Sequence, residues 1–498
     1  MKYVLGFDLG TSSCKAVIYN ELLQPAASAG EEYKTIFPSP GWAQQPAEQW
    51  WASFCKTVRS CLEKGSIDAK DIAAVGIDAM GSVAVPVDKN GGTLHDALFW
   101  MDRRAVKQSG RMASTLGERV FEITGNRIDP SNVAPKILWF KENAPEIYEK
   151  ADSFLHGNGY LVYKLTGIAS FDKTNGPLSL LYDIRGEKWS DEIFRGLGIN
   201  MEKLPDIYES HDVVGKITRS AALESGLLEG TPVVAGAMDN LASALGSASI
   251  IPGDVYIVGG TATSVGIVVD GAKPNKALHI HHHIIPGRFI CVSAVDFGGG
   301  GMRWLRDIAG QADYGELNRL AALAPPGNDG LVFLPYMVGQ RSPLYNNDTK
   351  GVVFGLTPEH GRGHLVRMFM ECTSYAVRNI LDHFRVAGAA PVRAKITGGI
   401  AASPVWAQIL CDVIGVDIEF SGASDVAALG AAIPAAIAAG MVKSYDDAAK
   451  LQTPYKHIAA NPENRAAYDK AFSLFQKLWG NMLASYEYAS SLNNKEIE

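Results

Sequence analysis

Two segments far apart in the chain repeat one plan, and that repeat limits the fold more than any other feature. Residues 2–20 read KYVLGFDLG-TSS-CKAVIYN, and residues 254–270 read DVYIVGG-TAT-SVGIVVD. In each, β-favouring apolar runs flank a turn made of Gly, Thr and Ser, the pattern of a hairpin. Such a repeat predicts two related domains that each open with a hairpin. A chain of 498 residues is in any case too long for one hydrophobic core. The break is expected near Ser247–Gly253, giving domains over 1–247 and 248–485 and a polar tail over 486–498.

Between the hairpins, strand and helix patterns alternate. Strands are expected at Ala73–Ile77, Val233–Ala235, Phe289–Val295, Leu331–Leu334 and Ala394–Thr397. Helices are expected at Ala47–Leu62, Val133–Asn143, Tyr160–Leu165, His364–Phe384, Pro404–Ile414 and Ala427–Ala439. Interleaving of this kind predicts α/β layers with helices covering the sheets. The net charge of −7 gives no electrostatic case for nucleic acid, and small metabolites fit better. Six cysteines without a CxxC pair argue against a zinc site or disulfide framework and for a reducing compartment. The N-terminal apolar run is interrupted at Asp8 and is too short for a signal or a membrane span, so no membrane association and a cytoplasmic location are expected.

Four motifs carry chemistry. Asp8 precedes the turn Gly10-Thr11-Ser12-Ser13; such a turn can aim N–H groups and hydroxyls at phosphate oxygens, and a strand-end Asp can hold Mg²⁺. Gly260-Thr261-Ala262-Thr263 is the matching second turn. An ordinary hairpin explains either alone, but a pair of them favours a grip on one polyphosphate. The run Val233–Asn240 is an apolar strand leading through small residues to Asp239, where phosphoryl transfer to an alcohol needs a proton acceptor. By spacing alone, Asp239 is equally an N-cap of the helix that follows. Finally, Thr397-Gly398-Gly399 with Ser403-Pro404 is a strand–turn–helix junction able to lie along a nucleotide, although Ser403 as N-cap and Pro404 at the first helical position also account for it.

The order and spacing of these pieces resemble the FGGY carbohydrate kinases over nearly the whole chain. Pro40-Gly41-Trp42, Glu48–Trp51, Phe99–Arg104, Ala134–Trp139, Phe333–Tyr336, Gln340–Pro343, Gly351–Leu356 and Ala428–Ala432 match as well. The resemblance implies two actin-like (ribonuclease-H-like) domains with an interdomain active-site cleft, and ATP- and Mg²⁺-dependent phosphorylation of a sugar hydroxyl. It implies Asp8 near the metal, Gly10 to Ser13 and Gly260, Thr261 and Thr263 at the phosphates, and Gly398, Gly399 and Ser403 on the nucleotide side. It also implies Asp239 as general base, with Met80, Gly81, Ser82, Trp100, Asp102 and Asn240 around the sugar. A homodimer is the assembly it allows.

The chain looks most like xylulose and ribulose kinases, and its departures bear on substrate. Similar xylulose kinases carry Gln-Met-His-Gly where this chain has Met80 to Val83, so Ser82 stands at the His position. Gly81, Ser82 and Ser131 replace the Arg, Glu and Tyr of glycerol kinases, which argues against glycerol. A ketopentose is the expected substrate; another polyol, a sugar acid or a non-catalytic sugar sensor are the alternatives. An actin-like chaperone or filament protein would leave the sugar-kinase segments unexplained. Ile400 stands for a usual Gly, Gly159 for a usual Asp or Asn, and Met368 for a small residue. The run His279–His283 reads as ordinary strand or loop histidines, and Trp42, Trp50 and Trp51 as packing residues.

Overall fold

The computed structural model of the protein describes residues 1–308, 313–452 and 454–493. It divides into two compact units, one of Met1–Ile250, Val269–Ile290 and Ala423–Thr453, the other of Ile251–Val268, Cys291–Gly422 and Pro454–Glu498. The break expected at 247/248 thus falls at 250/251, and two later segments return to the first unit. Nothing in a linear reading marks that return, because it depends on packing between residues hundreds of positions apart.

In the first unit, β1 (Tyr3–Leu9) and β2 (Ser13–Tyr19) form the expected hairpin, extended by β3 (Pro25–Glu32). With β4 (Ile72–Ala79), β5 (Val213–Lys216) and β6 (Pro232–Val234), the sheet runs β5-β6-β4-β1-β2-β3, and β7 (Ala237–Met238) also pairs with β4. β1, β4 and β7 are parallel. Helices α1 (Ala47–Gly65), α2 (Val133–Asn143), α3 (Gly157–Thr166) and α4 (Asp239–Gly246) belong to the same unit. Phe7, Trp50, Phe54, Ile77, Val83 and Tyr160 form one core; Met112, Ile137, Phe140, Phe154 and Phe194 form a second. Both are filled by side chains with almost no exposed surface.

The second unit repeats the plan. β8 (Asp254–Gly259) and β9 (Thr263–Val269) form the second hairpin, followed by β10 (Phe289–Val295) and α5 (Gly299–Ile308). After α6 (Arg362–Val386), β11 (Arg393–Gly398) lies parallel to β8, as β4 lies parallel to β1. α7 (Pro404–Ile414), β12 (Ile418–Phe420) and β13 (Lys456–Ile458) complete a sheet path β10-β9-β8-β11-β12-β13. Leu331–Leu334 gives a short strand at Val332–Leu334, paired with Val352–Phe354 outside that path. The C-terminal helix runs Arg465–Asn493, so the polar tail expected from 486 is helical to Asn493; residues 494–498 lie outside the described residues. Among the described residues, no helix is long and apolar enough to cross a membrane.

The apolar helix expected at Ala427–Ala439 is Val426–Ala438, which we term α8. It lies on β1 and β4 at backbone-contact distance. A Cβ at Gly6 would come within 2.0 Å of Ala428 O, and one at Gly76 within 1.9 Å of Ala431 O. The helix also crosses α4, where a Cβ on Gly430 would meet Ala242 O at 1.8 Å. In an open helix, replacing Gly by Ala stabilises by roughly 0.5–1 kcal/mol. Here overpacking, typically about 1–3 kcal/mol, opposes it. Gly430→Ala is therefore expected to lower the Tm despite the better helix former; an unchanged or raised Tm in a thermal melt would contradict this close crossing.

Candidate active site

The register of the first sheet gathers carboxylates. Asp8 on β1 stands opposite Asp78 on β4, and Asp78 stands opposite Ala237 on β7. Two residues past Ala237, Asp239 opens α4. All three acids thus project from the same, C-terminal ends of parallel strands, where α/β folds place their functional groups. Asp239 is not the N-cap, which is Met238; its Oδ1 instead accepts the Asn240 N–H at 2.6 Å. Asp425 caps α8 by accepting the Ala428 N–H at 3.0 Å, and it pairs with Lys15 at 2.8 Å.

This grouping shifts all three strand-end acids upward. Asp8 rises to about 6 chiefly through burial, eased by its contact with Asp78, with Asp425 raising it further and Lys15 offsetting part. Asp78 is fully buried and rises well above the ordinary carboxylate range, through burial and then the charge of Asp8. No donor among the described residues reaches either of its oxygens. Asp239 rises to about 7 through burial and the Asp8 charge, against the pull of the Asn240 N–H.

The first turn is held from outside. Gln45 Nε2 donates to Thr11 O at 2.8 Å, and its own amide oxygen accepts the Trp50 indole N–H at 2.8 Å. Tyr33 OH contacts Gly10 O and Ser13 O. Trp100 Nε1 donates to Thr11 Oγ1 at 2.9 Å, tying an expected sugar residue to the expected phosphate loop. Ser12 and Ser13 are exposed at the tip. Trp50 thus packs, as expected, and also orients Gln45.

Met80 is buried, and Gly81 sits on the Met238 side chain, 2.7 Å from where its Cβ would be. Ser82 O accepts Lys136 Nζ at 2.7 Å, whereas the buried Ser82 Oγ has no partner among the described residues. Lys136 is fully buried, and burial brings it down to about 7. Asn240 is half-buried beside Asp239. Asp102 does not join this group. It is fully buried, and its carboxylate accepts the Ala43 N–H at 2.8 Å, the Arg104 N–H at 3.2 Å and Arg104 Nε at 2.8 Å, which removes it as a direct sugar contact. Gly159 has no room for the usual side chain, since a Cβ there would lie 2.6 Å from Ser170 O.

In the second unit, three backbone segments meet. Gly399 N donates to Gly259 O at 2.7 Å, Gly299 N to Gly260 O at 3.0 Å and Gly300 N to Thr261 O at 3.0 Å. Gly260, Thr261, Gly398 and Gly399 are exposed there. Thr263 is not: it is fully buried, with its hydroxyl against Gly298, where any Cβ would come within 2.0 Å. Ser403 serves as the N-cap, accepting the Trp406 N–H at 3.1 Å and donating to Asn318 Oδ1 at 2.6 Å. Ile400 turns inward against Gly259 and is buried, so its side chain fills the unit's interior; Met368 is buried too. Asp78, Asp425, Tyr33, Gln45 and the run Gly298–Gly301 were not singled out in the sequence as site residues. Only Asp78, a strand-end Asp like Asp8, and the glycine run carried a local signal.

The histidine run has definite partners. His281 Nδ1 bonds Thr174 O at 3.2 Å, His282 Nε2 bonds Tyr182 OH at 3.2 Å and His283 Nε2 bonds Ser249 O at 3.1 Å.

Comparison with known proteins identifies the family. The model of the N-terminal domain of the FGGY family of carbohydrate kinases matches residues 3–246, and that of the C-terminal domain matches residues 255–439. The chain belongs to the FGGY family of carbohydrate kinases, enzymes that phosphorylate a sugar with ATP. It is 30% identical over 484 residues to a xylulose kinase of Escherichia coli (strain K12), covering 96% of this chain and 99% of that one. It is 28% identical over 473 residues to glycerol kinase 1 of Pseudomonas aeruginosa, covering 92% and 94%. The crystal structure of a xylulose kinase from Rhodospirillum rubrum superposes with a TM-score of 0.90 at 27% identity, covering 98% of this chain and 100% of that one.

The clustered acids also make a stability prediction. Folded-state values near 6 and 7 for Asp8 and Asp239 lie above the ordinary carboxylate value near 4, so the folded chain binds more protons between about pH 4 and pH 7. Stability without ligands then falls as pH rises through that window and levels off above it. Asp78→Asn removes an ionisable carboxyl from the cluster and is expected to raise the Tm at pH 8, of order 2–4 °C, and to flatten the dependence. Melts from pH 5 to pH 8 check this; a lower Tm for the variant at pH 8 counts against mutual repulsion.

Proposed function

We propose that this carbohydrate kinase acts on a ketopentose, xylulose or ribulose, with Asp239 as the group that accepts the proton of the attacking hydroxyl. The observation that carries this reading is the setting of Asp239, at a strand end beside Asp8 and shifted to about 7, near the working pH at which a general base is most effective. The xylulose kinases among the relatives support the acceptor class. The glycerol kinase match is nearly as high, so acceptor choice rests on local residues. Gly81, Ser82 and Ser131 disfavour glycerol, and the buried Ser82 hydroxyl and Trp100 shape the acceptor side.

In the proposed reaction the acceptor oxygen attacks the γ-phosphorus of ATP while its proton passes to Asp239; the bond to the bridging oxygen breaks and ADP leaves. The Asn240 N–H holds the carboxylate oxygen in place. In the first unit, Gly10 to Ser13 present the phosphate loop, braced by Gln45, Tyr33 and Trp100. In the second unit, the exposed Gly260, Thr261, Gly398 and Gly399 present backbone to the nucleotide, and the first N–H groups of α5 brace Gly260 and Thr261 from behind.

Mg²⁺ fits the first-unit carboxylates. Lys15 pairs with Asp425 and offsets part of the Asp8 shift, while among the described residues no donor reaches Asp78. Among the described residues no three side chains form a closed metal site, as suits an ion that keeps most of its waters. Asp8 would hold it, and with ATP it would neutralise charge on the phosphates.

ADP formation, with the product identified by mass, should show turnover on xylulose or ribulose above that on glycerol or gluconate. Asp239→Asn is expected to lower kcat by roughly 10²–10⁴-fold while leaving ADP binding intact. Near-normal turnover in the folded variant would remove Asp239 from the role, and preferred turnover of glycerol or gluconate would overturn the acceptor assignment.

A further inference from the structure

The loop Met80–Val83 and the strand end before Asp239 are joined by a line of buried side chains that the reaction above does not use. Its polarity follows from the backbone. The Val83 N–H, which can only donate, reaches His156 Nε2 at 3.2 Å. His156 therefore carries its proton on Nδ1, which donates to Asn158 Oδ1 at 3.1 Å. Asn158 Nδ2 then donates to Asp172 Oδ2 and to Ala235 O, both at 3.0 Å. From the other side, the Met238 N–H donates to Thr174 Oγ1 at 2.9 Å. The Thr174 hydroxyl proton goes to Asp172 Oδ1. Asn175 adds its N–H at 3.1 Å and its Nδ2 at 2.7 Å to the same carboxylate. Both arms end on Asp172.

His156, Asn158, Asp172 and Thr174 are each 1% exposed. Burial holds His156 down to about 3, so it stays neutral with the single proton that this polarity requires. A buried carboxylate is a costly anchor for packing alone, and a neutral residue could fill the space. The ends of the two arms give the anchor a purpose. One is the N–H directly after Ser82, the other the N–H directly before Asp239. Gly81 also rests on the Met238 side chain.

We infer that Asp172 is a positioning residue that registers the acceptor loop and the base against one carboxylate. Through Thr174 it fixes the backbone from which Asp239 projects; through Asn158 and His156 it fixes the loop that carries Ser82. This rests on reading Asp239 as the base and Met80–Ser82 as the acceptor loop. Misplacing a reacting group by about 1 Å costs on the order of 100-fold in rate, so a small slip of either arm is visible in kinetics.

The two arms separate in steady-state kinetics on the sugar that wild type turns over. Thr174→Val keeps the side-chain shape and removes the link, and is expected to lower kcat by about 10–100-fold, the usual range for a residue behind the contact shell. KM for ATP and the Tm should stay near wild type, and Thr174→Ser should restore kcat. His156→Phe keeps a ring and is expected to raise KM for the sugar with less effect on kcat. Asp172→Asn should do both. If Thr174→Val matches wild type while Asp239→Asn is inactive, the Asp172 role fails and the Asp239 role stands. If kcat, both KM values and Tm decline together in every variant, Asp172 is only a packing anchor. Wild-type turnover in Asp239→Asn overturns both readings.

Discussion

The first unit depends on how closely one apolar helix can approach a sheet. α8 touches β1 and β4 with its own backbone, at Gly6 and Gly76, and crosses α4 at Gly430. Side chains of ordinary size at these points would lift it by several ångströms. The same seating places Asp425, its N-cap, beside Lys15 and within the electrostatic reach of Asp8 and Asp78. It also fixes the far end of α4, whose first residue is Asp239. Small residues therefore set the geometry of charged ones.

That geometry opposes stability. Three strand-end carboxylates are buried together, the Asp8 charge makes ionisation of Asp78 and Asp239 harder, and Lys15 and the Asn240 N–H offset part of this. The native fold tolerates this because packing elsewhere is close, with two separate apolar cores in the first unit. Strain of this sort is common at functional sites.

The fold class was legible in the sequence because its signals are local. The hairpin repeat, the apolar runs and the strand–turn–helix junctions each declare themselves within about twenty residues, and Val133–Asn143 and Pro404–Ile414 match their expected bounds to the residue. The site was legible only in part. Asp8 and Asp239 end apolar strands and can be picked out singly, but their partner Asp425 reads as a plain helix cap until the chain is folded. Gln45 and Tyr33 brace the first turn through contacts 34 and 23 residues away, which no spacing rule marks. Asp102 misled for the opposite reason. It lies in a motif that suggested the sugar, yet Arg104 two residues on and Ala43 consume its carboxylate.

The path of the chain through the first unit has a consequence for how the protein is made. Its first 250 residues lack α8, which comes after most of the second unit has been translated. At ordinary elongation rates of about 5–20 residues per second, the glycine faces of β1 and β4 wait on the order of ten seconds or more for their cover. During that interval a nascent polypeptide exposes the very surface that later seats the helix. A chain cut short before Val426 never receives that cover at all.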